Sequence, residues 1–205
     1  MPYSEFTIEL VEASLGVTLR QEAGLFAGVA PVAVRPALRE TLDENLGIAL
    51  ASRTEKARSE MLVAPILIEV RRQLDRRVTL FSGVTFDVDP AQGLSGQCDF
   101  LISAEPNAMT VAVPVVTVVE AKNDNLKIGL AQCAAEMVAA SRFNARRGRE
   151  ETPVYGTVTT GTLWTFLALR GSVILADPNE HSLESLEIIL GILCHMARLE
   201  TGRDA

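Results

Sequence analysis

Apolar and polar positions alternate in period along the chain, and the changes of period mark its elements. From Thr7 to Leu19 the pattern is weakly helical, Gly24 to Pro36 is irregular, and a short helix runs from Pro36 to about Leu50, with proline at its start. Glu55 to about Gln73 reads as a longer helix. Pro65 removes one backbone donor there and predicts a kink, because Ile66 to Leu74 continue the apolar periodicity. Three strand signals follow, Val78 to Val88, Gln97 to Ser103 and Thr110 to Lys122, separated by turn residues around Asp89-Pro90 and Glu105-Pro106-Asn107. They predict an antiparallel meander, with Pro114 limiting full pairing of the third strand to Val115 onward.

Leu126, Leu130, Cys133, Met137 and Ala140 then form one helical stripe suited to lying on a sheet. Val154 to Thr160, Leu163 to Leu169 and Ser172 to Leu175 are further strands, and Ser182 caps a last helix running to about Glu200. The order helix, three strands, helix, strands, helix predicts an α/β sandwich around a mixed central sheet. One domain over 1–205 is expected, with 1–52 as an N-terminal helical extension and 53–205 as the core and final helix.

Composition narrows what such a domain does. A net charge of −7 argues against nonspecific coating of nucleic acid, which draws on many cationic contacts, so any such contact must be local. Positive charge gathers at Arg71, Arg72, Arg76 and Arg77, and at Arg142, Arg146, Arg147 and Arg149. Each group is either a solvated helix end or a phosphate-binding edge. The longest apolar runs fall short of the roughly 20 residues that cross a bilayer, and no secretory pattern opens the chain, so a cytoplasmic location without membrane contact is the expectation. Cys98, Cys133 and Cys194, odd in number and set in apolar sequence, read as buried reduced thiols. His181 and His195 pair with no Ser or Cys motif, and no dinucleotide or P-loop fingerprint is present.

The candidate chemistry lies in Glu120-Ala121-Lys122, directly after the β-branched run Val115 to Val119 and twenty-one residues beyond Asp99. Side chains two apart on a strand share a face, which puts Val116, Val118, Glu120 and Lys122 together. Asp99 on the neighbouring strand, opposite in face to Cys98, Phe100 and Ile102, brings a second carboxylate beside Glu120. Like charges there call for a cation, and a divalent ion between Asp99 and Glu120 answers the need. Glu60 sits among Ala57, Ala64 and Leu67 at helical spacing. It either pairs with Arg71 or Lys56 or, as the favoured expectation, reaches toward the metal site. Gln132 flanks the following helix's apolar stripe, with Glu136 one turn on.

Asp99, Glu120-x-Lys122, Gln132 and the preceding helical Glu60 together resemble the PD-(D/E)xK nuclease superfamily, the restriction-endonuclease-like fold. The segments Ala57-Arg58-Ser59-Glu60, Leu80-Phe81-Ser82-Gly83, Gly96-Gln97-Cys98-Asp99-Phe100, Val119-Glu120-Ala121-Lys122 and Gln132 to Met137 are similar to an uncharacterised bacterial group within it, over about Glu55 to Thr160. Cys98 stands where the superfamily's nominal proline would precede Asp99. The resemblance implies an αβββαβ-type core and a Mg²⁺-dependent phosphodiesterase, with Mn²⁺ as substitute, acting on nucleic acid, with DNA the expected polymer.

In that reading Asp99, Glu120 and the Ala121 carbonyl hold the ion, with water completing its shell. Lys122 orients or deprotonates the attacking water and offsets phosphate charge. Glu60 recruits a second ion or fixes the first ion's waters, and Gln132 positions the nucleophile or the scissile phosphate. A homodimer is expected only by analogy with nucleases that cut two strands. The alternative is a catalytically inactive interaction module on the same fold, favoured by the acidic surface.

Overall fold

The computed structural model describes residues 2–122 and 126–198, apart from the side chains of 127 and 128. Among these residues eight strands form one mixed sheet: β1 (Thr18–Gln21), β2 (Thr79–Thr85), β3 (Gln97–Ser103), β4 (Val115–Ala121), β5 (Val154–Thr159), β6 (Leu163–Arg170), β7 (Val173–Ala176) and β8 (His181–Ser182). Their order is β1-β7-β6-β5-β4-β3-β2, with β8 beside β6. The β2-β3-β4 meander is antiparallel, β4 and β5 run parallel, and β1 joins the far edge parallel to β7.

Helices cover both faces. On one, α1 (Ile8–Leu15) and α5 (Leu126–Ala145) enclose a core containing Val11, Leu101, Val118, Cys133, Met137 and Val158. On the other, α2 (Pro36–Ser52), α4 (Ala64–Gln73) and α6 (Leu186–Ala197) enclose Leu42, Ile66, Phe100, Val119, Trp164 and Leu190. The fold is therefore α/β with a mixed open sheet flanked by helices. All three cysteines are buried and free. No helix among the described residues is long and apolar enough to cross a membrane.

Several elements depart from the expected pattern. The first 52 residues are more than a helical extension, since β1 completes a sheet edge and α2 packs on the π-helical turn before α4. Strand β1 was hidden because TLRQ is short, edge-bound and mostly exposed. Ser182 caps a single 3₁₀ turn, accepting from the Glu184 N–H, and α6 proper starts at Leu186; the expected end at Glu200 lies outside the described residues.

The helix from Glu55 to Gln73 contains a π-helical turn over Ser59–Val63, between α3 (Glu55–Arg58) and α4, where the Ala64 N–H donates to the Ser59 carbonyl five residues back. Pro65 follows immediately. Its missing N–H would leave the Met61 carbonyl without an α-helical donor, and Asn45 Nδ2 from α2 supplies that hydrogen bond at 2.9 Å. The wider turn rotates everything before it relative to everything after it.

Alternation also slips in the sheet. The β3–β4 register shifts between Ile102 and Ser103, so Ile102 faces Thr117 while Ser103 faces Val115. This bulge turns Val116 into the α4-side core beside Val119, whereas Val118 stays on the α5 side. Val116 therefore does not share a face with Val118 as a strict period of 2 predicts. A second break occurs at Asp99. The pairs Ser82↔Phe100 and Val84↔Cys98 bracket Gly83 and Asp99, and Gly83 adopts a φ of 61°, a left-handed conformation that glycine tolerates. Cys98 accordingly joins Leu101 in the α5-side core while Phe100 and Ile102 join the other.

Candidate functional site

The site forms where β4 ends. The half-buried Asp99 carboxylate accepts the Ala121 N–H at 2.8 Å, so the side chain rather than a backbone carbonyl ties β3 to the last residue of β4. On the other side the Lys122 N–H donates to the Thr159 carbonyl at 2.7 Å, extending the β4–β5 pairing by one bond. These two bonds fix the backbone on either side of Glu120 and Lys122 before any side chain is considered.

Glu120 is 1% exposed, an extreme position for a carboxylate. Its Oε1 meets Lys122 Nζ at 2.5 Å, and its Oε2 is buried without a hydrogen-bond partner. Lys122 Nζ also donates to Gln132 Oε1 at 3.3 Å, and Gln132 Nε2 donates to Glu136 Oε1 at 3.1 Å. A continuous chain thus runs Glu120–Lys122–Gln132–Glu136 from strand to helix. α5 comes close enough because residue 129 is glycine: a Cβ there would stand 2.5 Å from Val158 Cγ1 and 3.1 Å from Lys122 Cγ.

The charges are mutually strained. Burial first, then the Asp99 charge, pushes the Glu120 carboxyl up to about 8 against the opposing pull of Lys122. Burial likewise raises Asp99 despite the Ala121 N–H, and burial followed by the Glu120 charge raises Glu136 well above the carboxylate range. Burial works against the Lys122 ammonium, but the Glu120 charge and hydrogen bond outweigh it and the group is raised. Excess negative charge in a dry pocket is the electrostatic condition under which a cation is favoured.

Asp99, Glu120, Lys122 and Gln132 converge as their spacing predicts, but Glu60 does not join them. Its side chain is 56% exposed and pairs with Lys56 at 3.5 Å, one of the two partners weighed for it; Arg71 instead donates to the Val78 carbonyl and to Asn107. The expected apolar face around Glu60 assumed 100° per residue, and the π-helical turn that begins at Ser59 breaks that phase. Glu55, one turn earlier, takes its place electrostatically, since its charge acts on Asp99, Glu120 and Lys122. Its sequence signal was Thr54, whose hydroxyl caps α3 by accepting from the Ala57 N–H and so fixes where Glu55 enters the first turn. Glu136 was also missed as a member of the site, although its spacing of four from Gln132 marks it.

Neither arginine group lies here. The Thr79↔Ser103 and Ser103↔Val115 pairs put residues 71–77 at the opposite end of β4. Asn144, which bonds both the N–H and the carbonyl of Val115 at 2.9 and 2.8 Å, puts the end of α5 and residues 142–149 there as well. That end is roughly 20 Å from Ala121 at strand rise. Arg142 and Arg146 pair with Asp89, and Arg147 covers the Phe143 ring. A cleft of about 550 Å³ lined by Pro114, Tyr155 and His195 also belongs to that end. Among the described residues Lys122 is the basic side chain bonded to these carboxylates, and Arg58 Nη1 donates at 3.0 Å to the carbonyl of Thr160, the residue after the Thr159 that pairs with Ala121.

The oxygen donors suit a hard divalent ion. Among the described residues no three His, Cys, Asp or Glu side chains form a ready cage, so the protein would offer the Asp99 and Glu120 carboxylates with the Ala121 carbonyl and leave the rest to water. Mg²⁺ is commonly held in that way, with few protein ligands and several retained waters. The partnerless, buried Glu120 Oε2 is the observation that fits. Compared with known proteins, the chain matches no family model, no curated protein and no solved structure.

Proposed function

We propose that this chain is a divalent-metal-dependent nuclease of restriction-endonuclease-like architecture that hydrolyses phosphodiester bonds of nucleic acid, with DNA the expected substrate. The observation that carries the reading is Glu120: a carboxylate 1% exposed, with one oxygen on Lys122, the other without a partner, and Asp99 charged beside it. Such an arrangement costs stability unless a cation or a proton compensates the charge, and groups perturbed in this way cluster at functional sites. The succession α4, β2-β3-β4, α5, β5 around it supports the αβββαβ core that the motif resemblance implies.

Asp99, Glu120 and the Ala121 carbonyl would hold Mg²⁺ or Mn²⁺, which when bound supplies Lewis acidity toward a phosphate oxygen and lowers the pKa of a water. The ammonium of Lys122 offsets negative charge developing on the phosphate and orients the attacking water. Gln132 holds Lys122 from the helix side, and Glu55 adds negative potential at the start of α3. Glu60, turned outward to Lys56, has no part in this scheme. The inactive interaction module remains the second reading, favoured by one observation: both arginine groups lie at the far end of β4 from Asp99.

Calorimetric titration with Mg²⁺ and Mn²⁺, paired with cleavage assays on plasmid, single-stranded DNA and RNA, tests the proposal. The wild-type protein is expected to bind the ion and cut in its presence, and Asp99→Ala and Glu120→Ala to lose both. Unchanged affinity in those two variants overturns the metal site. Binding without cleavage of any substrate favours the module.

A further inference from the structure

We propose that Glu136 is a positioning residue that fixes the orientation of the Gln132 amide and, through it, the place of the Lys122 ammonium. The inference rests on the nuclease reading for its kinetic consequence, but its geometry stands alone. A side-chain amide has an accepting end and a donating end. Lys122 Nζ has donors only, and Glu136 Oε1 accepts from the amide nitrogen at 3.1 Å. With Oε1 toward Lys122 and Nε2 toward Glu136 both contacts are hydrogen bonds. Turned through 180°, the amide would set NH₂ against NH₃⁺ and oxygen against a carboxyl oxygen. Glu136 thereby holds Gln132 in the one orientation that presents an acceptor to Lys122.

The cost of Glu136 points to a role beyond packing. It is fully buried on α5 between Cys133 and Met137, in a helix whose only other buried polar side chain among the described residues, Asn144, has both ends of its amide bonded to Val115, and its Oε2 has no partner. A buried, half-satisfied carboxyl destabilises relative to an apolar residue of similar volume. Burial raises it well above the usual range, and Oε1 accepts from Gln132 both when the group is ionised and when its proton sits on Oε2. The second anchor on Lys122 matters because Glu120, the first, is also a proposed ion ligand and would then share its oxygens.

The test uses Glu136→Gln and Glu136→Met in the full chain. Glu136→Gln is nearly isosteric but can present either amide end to Gln132; Glu136→Met removes the acceptor and keeps apolar packing. In the metal-free protein, the Gln132 side-chain NH₂ resonances, assigned with Gln132→Ala, should be slow to exchange with solvent in the wild type. They should shift and exchange faster in both variants. Both variants should melt at the same temperature or higher, and cleavage should show kcat lowered about tenfold with the substrate KM unchanged, as for loss of an orienting partner. Unaltered Gln132 resonances, or a melting temperature that falls in step with activity, overturn the role. If the wild-type protein cuts nothing, the resonance and melting measurements still decide the positioning inference, while the nuclease reading alone fails.

Discussion

Metal-free protein should lose stability as pH rises from 5.5 to 8, the reverse of what an ordinary paired carboxylate produces. The Glu120 carboxyl is pushed up to about 8 in the fold from an ordinary 4.5, chiefly through burial. Between those values the folded state binds more protons than the unfolded one, so stability is fully present below about pH 4.5 and falls until pH passes 8. At 1.36 kcal/mol per unit, this one group removes about 3 kcal/mol between pH 5.5 and 8. Burial raises Asp99 and Glu136 in the same direction.

Urea unfolding in chelator at the two pH values measures the effect. Glu120→Gln, which keeps an acceptor for Lys122 without the charge, should flatten most of the slope and be the more stable protein at pH 8. Saturating Mg²⁺ should flatten it in the wild type, since an ion on the ionised carboxylate stabilises the fold by mass action. A stability that is level or rising over this window without metal, or a Glu120→Gln slope equal to the wild type's, refutes the electrostatic argument.

Lys122→Ala should retain the fold and the bound ion yet lower cleavage by about 10² or more. Lys122→Arg should rescue little, because a planar guanidinium cannot reproduce the compact contacts with Glu120 and Gln132; wild-type turnover by either variant would remove Lys122 from the chemistry. Gly129→Ala should cost about 1–3 kcal/mol in unfolding experiments and reduce activity as well, since its Cβ would press on Val158 and Lys122. A neutral result would mean that α5 is free to shift. Glu60→Gln should change stability by no more than about 0.5 kcal/mol and leave cleavage intact, whereas Glu55→Gln should weaken ion affinity measured by calorimetry. The opposite ranking would restore Glu60 to the site.

The sequence by itself determined most of the elements, β1 excepted, and four of the side chains that converge at the end of β4. Runs of β-branched residues and the helical stripe of Leu126 to Ala140 reveal local periodicity, a property that short windows carry. Asp99, Glu120 and Lys122 were legible for the same reason: Glu120 lies near the end of β4, Lys122 directly follows that strand, and Asp99 lies on β3, its antiparallel neighbour in the meander. What only the tertiary structure decided came from departures from ideal period. The bulge at Ile102–Ser103 moved Val116 to the other face, and the left-handed Gly83 opposite Asp99 broke alternation in β3. The π-helical turn before Pro65, supported by Asn45 from a different helix, turned Glu60 outward and left Glu55 as the acid acting on the site. Each departure depends on a partner distant in sequence, so no local pattern could report it. Glu136 stands between the two, because its spacing of four from Gln132 is local while the Lys122 ammonium reaches that amide only through the packing of α5 against β4 and β5.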